Sequence, residues 1–96
     1  MDKLKPCPYK EIINLYEYCQ KIGVNAVLED FFDGYAIRFP SGADFIQHKH
    51  SYGAEAGYVE PAIDCRLDYT AVSLKNAKKL VKRHKEKLNR RAKHED

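Results

Sequence analysis

The sequence predicts an α+β fold: a three-stranded antiparallel meander flanked on one face by an N-terminal and a C-terminal helix, in the order α-β-β-β-α. Three observations carry this expectation. Apolar residues recur at helical steps near the start, an Asp33-Gly34 pair separates two β-rich runs, and a second helical stripe fills the last quarter. The 96 residues suit a single domain, 1–96, with enough Ile, Val, Leu, Phe and Tyr for a modest core.

The first helix is expected over residues 8–23. Pro8 fits a first turn because the N–H it lacks would be unpaired there. Ile12, Leu15, Tyr16, Cys19 and Ile22 recur at three- and four-residue steps and draw one apolar stripe. Gly23 then stands where a left-handed residue closes a helix.

The meander is expected over residues 25–48. Asp33-Gly34 suits the centre of a two-residue turn with both residues at positive φ, which sets Phe32 opposite Tyr35. Leu28 then faces Phe39 and Asp30 faces Ile37 on one side, while Phe31 faces Ala36 and Glu29 faces Arg38 on the other. Phe45 is assigned to the side of Phe31 and Ala36, a face left partly exposed or covered by the long loop. Asp30 lands among apolar residues, either re-aimed by a bulge or standing at the edge of the core. After the Pro40-Ser41-Gly42 turn, residues 44–48 read as the third strand.

Residues 49–69 read as a long loop. Only residues 58–63 resemble a strand there, and Pro61 would confine it to a sheet edge as a fourth strand. The last helix, over 73–93, opens on Ser73 as N-cap. Leu74, Ala77, Leu80, Val81, His84 and Leu88 form its inward stripe. That stripe thins after Val81, so the N-terminal half is expected to pack on the sheet and the C-terminal half to project into water or onto a partner, mobile from about Lys87 until a partner orders it. The expected core is Ile12, Leu15, Cys19, Leu28, Ile37, Phe39, Leu74 and Val81.

Charge divides the chain. Residues 75–96 carry ten Lys or Arg against three acids, whereas residues 1–74 carry seven basic and eleven acidic groups. A helix of net +7 attached to a body of net −4 attracts polyanions: nucleic acid or an acidic protein surface. The competing reading is a solvated face. The candidate nucleic-acid contacts are Lys75, Lys78, Lys79, Lys82, Arg83, Lys85, Lys87, Arg90 and Arg91, which would grip phosphates without reading bases. A membrane-surface role is disfavoured, because the apolar side beyond Val81 has no Trp or Phe.

Other chemistry is thinly signalled. If the third strand ran through His50, then Asp44, His48 and His50 would share a face and offer two imidazoles and a carboxylate to a metal. Two surface histidines beside a loop compete with that reading. Cys65 with a histidine could be written as a nucleophile and base, but no local signature supports the pair. No phosphate loop, nucleophile elbow or HExxH is present. No catalysis and no cofactor are expected. Tyr52 and Tyr58, beside Gly53 and Gly57, could offer stacking faces to bases or simply cover a small core. Three cysteines at wide spacing (Cys7, Cys19 and Cys65) are no disulfide framework, and together with an N-terminus lacking an apolar signal they lead to the expectation of a cytosolic protein.

Two resemblances follow. The element order, the opening helix IINLYEYCQKIG and the lysines Lys75, Lys78 and Lys79 at the start of the last helix resemble double-stranded RNA-binding domains at the level of fold. The stretch IRFPSGADFIQHKHSYGAEAG, residues 37–57, resembles small bacteriophage and prophage proteins. That likeness implies an origin and not a mechanism: a cytosolic accessory protein made inside a host bacterium. From its own residues the chain is expected to be non-enzymatic, a monomer or weak homodimer, and to bind nucleic acid through the basic helix. The alternative is a module that modulates a host protein through the aromatic sheet face or the 49–69 loop.

Overall fold

The computed structural model describes residues 7–51, 53–62 and 71–91. Helix α1 (Lys10–Ile22) leads into strands β1 (Val27–Phe31), β2 (Gly34–Arg38) and β3 (Asp44–Gln47). A 3₁₀ turn at Ala54–Ala56, β4 (Tyr58–Ala62), β5 (Val72–Ser73), α2 (Leu74–Arg83) and α3 (Lys85–Asn89) follow. The five strands form one antiparallel sheet in sequence order, β1-β2-β3-β4-β5. The fold is therefore the expected α+β meander with both long helices over one face, extended to five strands.

The expected fourth strand forms, and the brief β5 covers part of its outer edge. Tyr58 pairs with Ser73 and Val59 with Val72. Beyond Val59 that edge pairs with no described residue, so Pro61, which has no N–H to donate, fits there while facing Phe45 on its inner side.

α1 ends as its sequence suggests, with Gly23 in the left-handed region at φ 82. Ile12, Leu15 and Cys19 are fully buried against Ile37, Phe45, Val59, Ala77 and Val81. Leu28 and Leu74, placed in the expected core, are only half-buried at its margin.

The hairpin register differs from expectation by two residues. Phe31 pairs with Gly34, Leu28 with Ile37 and Asp30 with Tyr35, so the turn residues are Phe32 and Asp33. A slip of two keeps the paired side chains of β1 and β2 on their expected faces, because strand side chains alternate with period two, while Phe32, expected opposite Tyr35 on the apolar side, moves into the turn. The physical reason lies across the sheet. A Cβ on Gly34 would overlap the carbonyl oxygen of Gln47, so this glycine serves a close approach between β2 and β3 and not a positive φ. The positive φ of the turn falls on Phe32, at 55°. Asp30 needs no bulge: β1 is the outermost strand, and its register runs unbroken.

Phe45 is a second correction. It pairs with Ile37 and is fully buried on the helix-covered face. The open face carries Ile46 instead, beside Ala36. Along that face Arg38 bridges two carboxylates, its Nε 2.9 Å from Glu29 and its Nη1 3.0 Å from Asp44. The expected Glu29–Arg38 attraction thus exists, but diagonally, since Arg38 pairs in register with Val27.

The basic segment is not one projecting helix. α2 ends at a bend on His84, and α3 folds back onto the body. Leu88 is fully buried, its carbonyl accepts the Ser41 N–H at 3.3 Å, and Asn89 is tied to the α1 exit. Asn89 Oδ1 accepts the Asn25 N–H at 2.7 Å while its Nδ2 donates to the Gly23 carbonyl at 3.2 Å. A partner for Leu88, invisible to a count of apolar residues along the helix, removes the ground for a tail standing free from Lys87.

Candidate nucleic-acid interface

α2 starts on Ser73, whose hydroxyl accepts the Asn76 N–H at 3.2 Å. Ala77 and Val81 face the core and fix the helix rotation. At 100° per residue, Lys75, Lys79, Lys82 and Arg83 then crowd the opposite, solvent-exposed side. Successive cations at four-residue steps stand about 6 Å apart along the axis. None of these four makes an ion pair with a described residue.

This arrangement works against the helix itself. Like charges at Lys75–Lys79 and Lys79–Arg83 each destabilise by about 0.2–0.5 kcal/mol. The first turn of α2 holds no acid and does hold Lys75, a cation at the positive end of the helix dipole.

The remaining expected contacts are dispersed. The Lys78 ammonium lies 5.4 Å from the centre of the Tyr18 ring of α1, a cation–π contact that turns it toward the body. Beyond the His84 bend, Lys85, Lys87, Arg90 and Arg91 are exposed on α3 and the segment after it. Arg91 lines an open cavity of about 710 Å³ near Val24, Arg38 and Phe39. The structure therefore gathers four of the nine cations on one surface and sends the other five elsewhere.

At the β1–β2 turn the open sheet face ends in a cluster of rings. Phe32 stacks on His48 with centroids 4.9 Å apart and planes 26° apart, and Phe31 meets His48 edge-on at 4.6 Å. His50 meets Phe32 edge-on at 5.3 Å. His48 is buried, and its Nδ1 accepts the His50 N–H at 3.1 Å, which requires a neutral imidazole with its proton on Nε2. Burial, then the nearby His50, holds the His48 pKa below its ordinary 6.5, against the opposing pull of Asp33 and Glu60. Asp33 accepts the Lys49 N–H at 2.8 Å and the Tyr9 hydroxyl at 3.2 Å, and these bonds hold its carboxyl below the usual range.

The metal candidates do not converge. β3 stops at Gln47, His48 and His50 come together, and Asp44 stands four strand residues away, about 13 Å, paired with Arg38. No group of three or more His, Cys, Asp or Glu able to hold a metal occurs among the described residues. The Ser51 hydroxyl beside His48 bonds the His48 backbone and not its imidazole. Burial pushes the Cys19 thiol up to about 11. Cys65 and Tyr52 lie outside the described residues. No helix among the described residues is long and apolar enough to cross a membrane.

Sequence reasoning found the basic residues because composition announces them. It missed Phe32 as an exposed ring, since no local signal places a phenylalanine at positive φ. Comparison with known proteins finds no matching family model, no similar characterised protein and no similar solved structure.

Proposed function

We propose that this protein binds nucleic acid through the outward face of α2, using Lys75, Lys79, Lys82 and Arg83 to grip backbone phosphates. One observation carries the reading: four cations share a helix face without a carboxylate partner among the described residues, at a cost in helix stability that a merely solvated surface could avoid by interleaving glutamates. Phosphate contacts of this kind position the protein and carry little sequence information. An accessory role in a bacterial host, of the sort found in small phage and prophage proteins, is compatible with such a grip and needs no catalysis.

The test is fluorescence anisotropy on a labelled duplex across a salt series. Four phosphate contacts predict a log–log slope of about −3.6, so affinity falls about 10²-fold between 50 and 200 mM salt. A double change, Lys79→Glu with Arg83→Glu, is expected to remove at least about two contacts' worth of slope. Binding that ignores both salt and the double change would reject the reading.

A further inference from the structure

We infer that the β1–β2 turn is a base-stacking element, so that the preferred nucleic acid presents unpaired bases, as a single strand or a loop, in place of an uninterrupted duplex. This rests on the phosphate-gripping reading of α2 and names the substrate class of the same interface.

Phe32 has two properties that do not serve the fold. Its φ of 55° lies in the left-handed region, which bulky side chains rarely occupy, and 62% of its surface remains in solvent. Neither a turn nor a core asks for such a residue: Asn or Gly would turn the chain with less strain, and the ring is not buried. Strained positions of this kind persist where the surroundings hold them and commonly mark a working site.

The surroundings do hold it. His48 backs the Phe32 ring, and Phe31 at 5.0 Å and His50 at 5.3 Å stand with their planes nearly perpendicular to it. His48 is itself fixed, through Nδ1 to the His50 N–H and through its own N–H to the Ser51 hydroxyl at 3.0 Å. An exposed ring on a rigid support loses little freedom when a flat partner stacks on it, and every nucleobase has a suitable face.

The topology places this ring and the start of the basic helix at the same end of the sheet, at opposite edges. In the antiparallel register, the β1–β2 turn, the end of β3, the start of β4 and the end of β5 all lie at one end of the sheet. Phe32, the 42% exposed Tyr58 and Lys75, which follows β5 directly into α2, therefore share that end. Lys49 is there too, its backbone bonded to Asp33. A strand whose phosphates follow Arg83, Lys79 and Lys75 in turn is led toward Tyr58 and Phe32, across a sheet about 19 Å wide. A continuous duplex keeps its bases stacked on one another and has none to offer these rings.

The experiment compares a labelled oligothymidylate of about 15 nucleotides with a duplex of about 15 base pairs, for the whole chain and its Phe32→Asn variant. Asn accepts positive φ more readily than Phe, so the variant is expected to fold, and circular dichroism checks that. Phe32→Gly serves the same purpose should Asn disturb the turn. Oligothymidylate affinity is expected to fall about 5- to 150-fold, with duplex affinity and both salt slopes unchanged. Unchanged oligothymidylate affinity in a folded variant, or an equal loss on both nucleic acids, overturns the inference and leaves the α2 reading intact. The first of those outcomes would fit Phe32 as an anchor for a protein partner. Failure of the unaltered chain to bind either nucleic acid overturns both.

Discussion

The side-chain oxygen of Gln47 accepts the backbone N–H of Ile12 at 2.9 Å, joining the end of β3 to the first turn of α1 across 35 residues. Tyr9, the N-cap of α1, makes no side-chain cap hydrogen bond, and Gln47 supplies the missing acceptor from another element. Its amide nitrogen donates in turn to Glu11 Oε1 at 3.0 Å and to the Ala54 carbonyl at 3.2 Å. Gln47 has no exposed surface. Gln47→Leu conserves much of the volume but leaves the Ile12 N–H and the Ala54 carbonyl buried without these bonds. A loss of about 2–4 kcal/mol in urea-unfolding free energy is expected, with an unchanged m-value.

Gly34→Ala tests the close approach of β2 and β3. The added methyl would meet the backbone of Gln47, which cannot swing aside as a side chain can. Destabilisation of about 3 kcal/mol or more is expected, read as a lowered thermal midpoint. Gly42 offers a spatial control: a Cβ there meets nothing within 4 Å, though its φ of 94° adds a backbone strain of its own.

How much could be read from the sequence follows from how local each cause is. The apolar stripe of α1, its Gly23 closure and the Ser73 cap were legible because a few adjacent residues decide them, whereas its start at Lys10, two residues past expectation, is served by the distant Gln47. The faces of β1 and β2 were legible too, since period-two alternation survives a register slip of two, but the face of Phe45 on β3 was not. The slip itself was not, because Asp33-Gly34 advertises a turn while Gly34 answers to Gln47, thirteen residues on. The fold-back of α3 was likewise hidden: Leu88 and Asn89 find partners at Ser41, Gly23 and Asn25. At the candidate site the cations were plain in the composition, but their division by the His84 bend and the exposure of Phe32 were not.

Leu88→Ala removes a fully buried side chain from α3 and is expected to cost about 2–5 kcal/mol. Asn89→Ala leaves the Asn25 N–H to water at an exposed site, so a smaller loss of about 1 kcal/mol is expected. In both variants, hydrogen exchange of residues 85–91 would quicken ahead of that of β2 and β3. Uniform exchange across the chain would contradict this.

Acid weakens the ring cluster. The folded His48 pKa lies below the unfolded 6.5, so the unfolded chain takes up this proton first. The contribution of His48 is therefore complete above about pH 6.5 and is lost as pH falls through its folded pKa. Protonation of Nδ1 also ends its role as acceptor for the His50 N–H. Stability measured from about pH 7.5 down to pH 5 is expected to decline, and the decline is expected to be shallower in His48→Asn. Equal slopes in the two proteins would assign the effect to another group.

The α3 tether also bears on kinetics. Every strand bonds to its neighbour in sequence, so the sheet can grow by successive short closures, each with a small entropy loss. The Asn25–Asn89 bond spans 64 residues, so it is expected to close after that sheet and α2 have formed. A contact that forms this late is expected to stand outside the folding transition state and to act on the reverse reaction. Weakening it at Leu88 or Asn89 would hasten unfolding and leave the rate of folding nearly unaltered. The short last helix is thus a latch on the lifetime of the native state, placed immediately after the cations that face solvent.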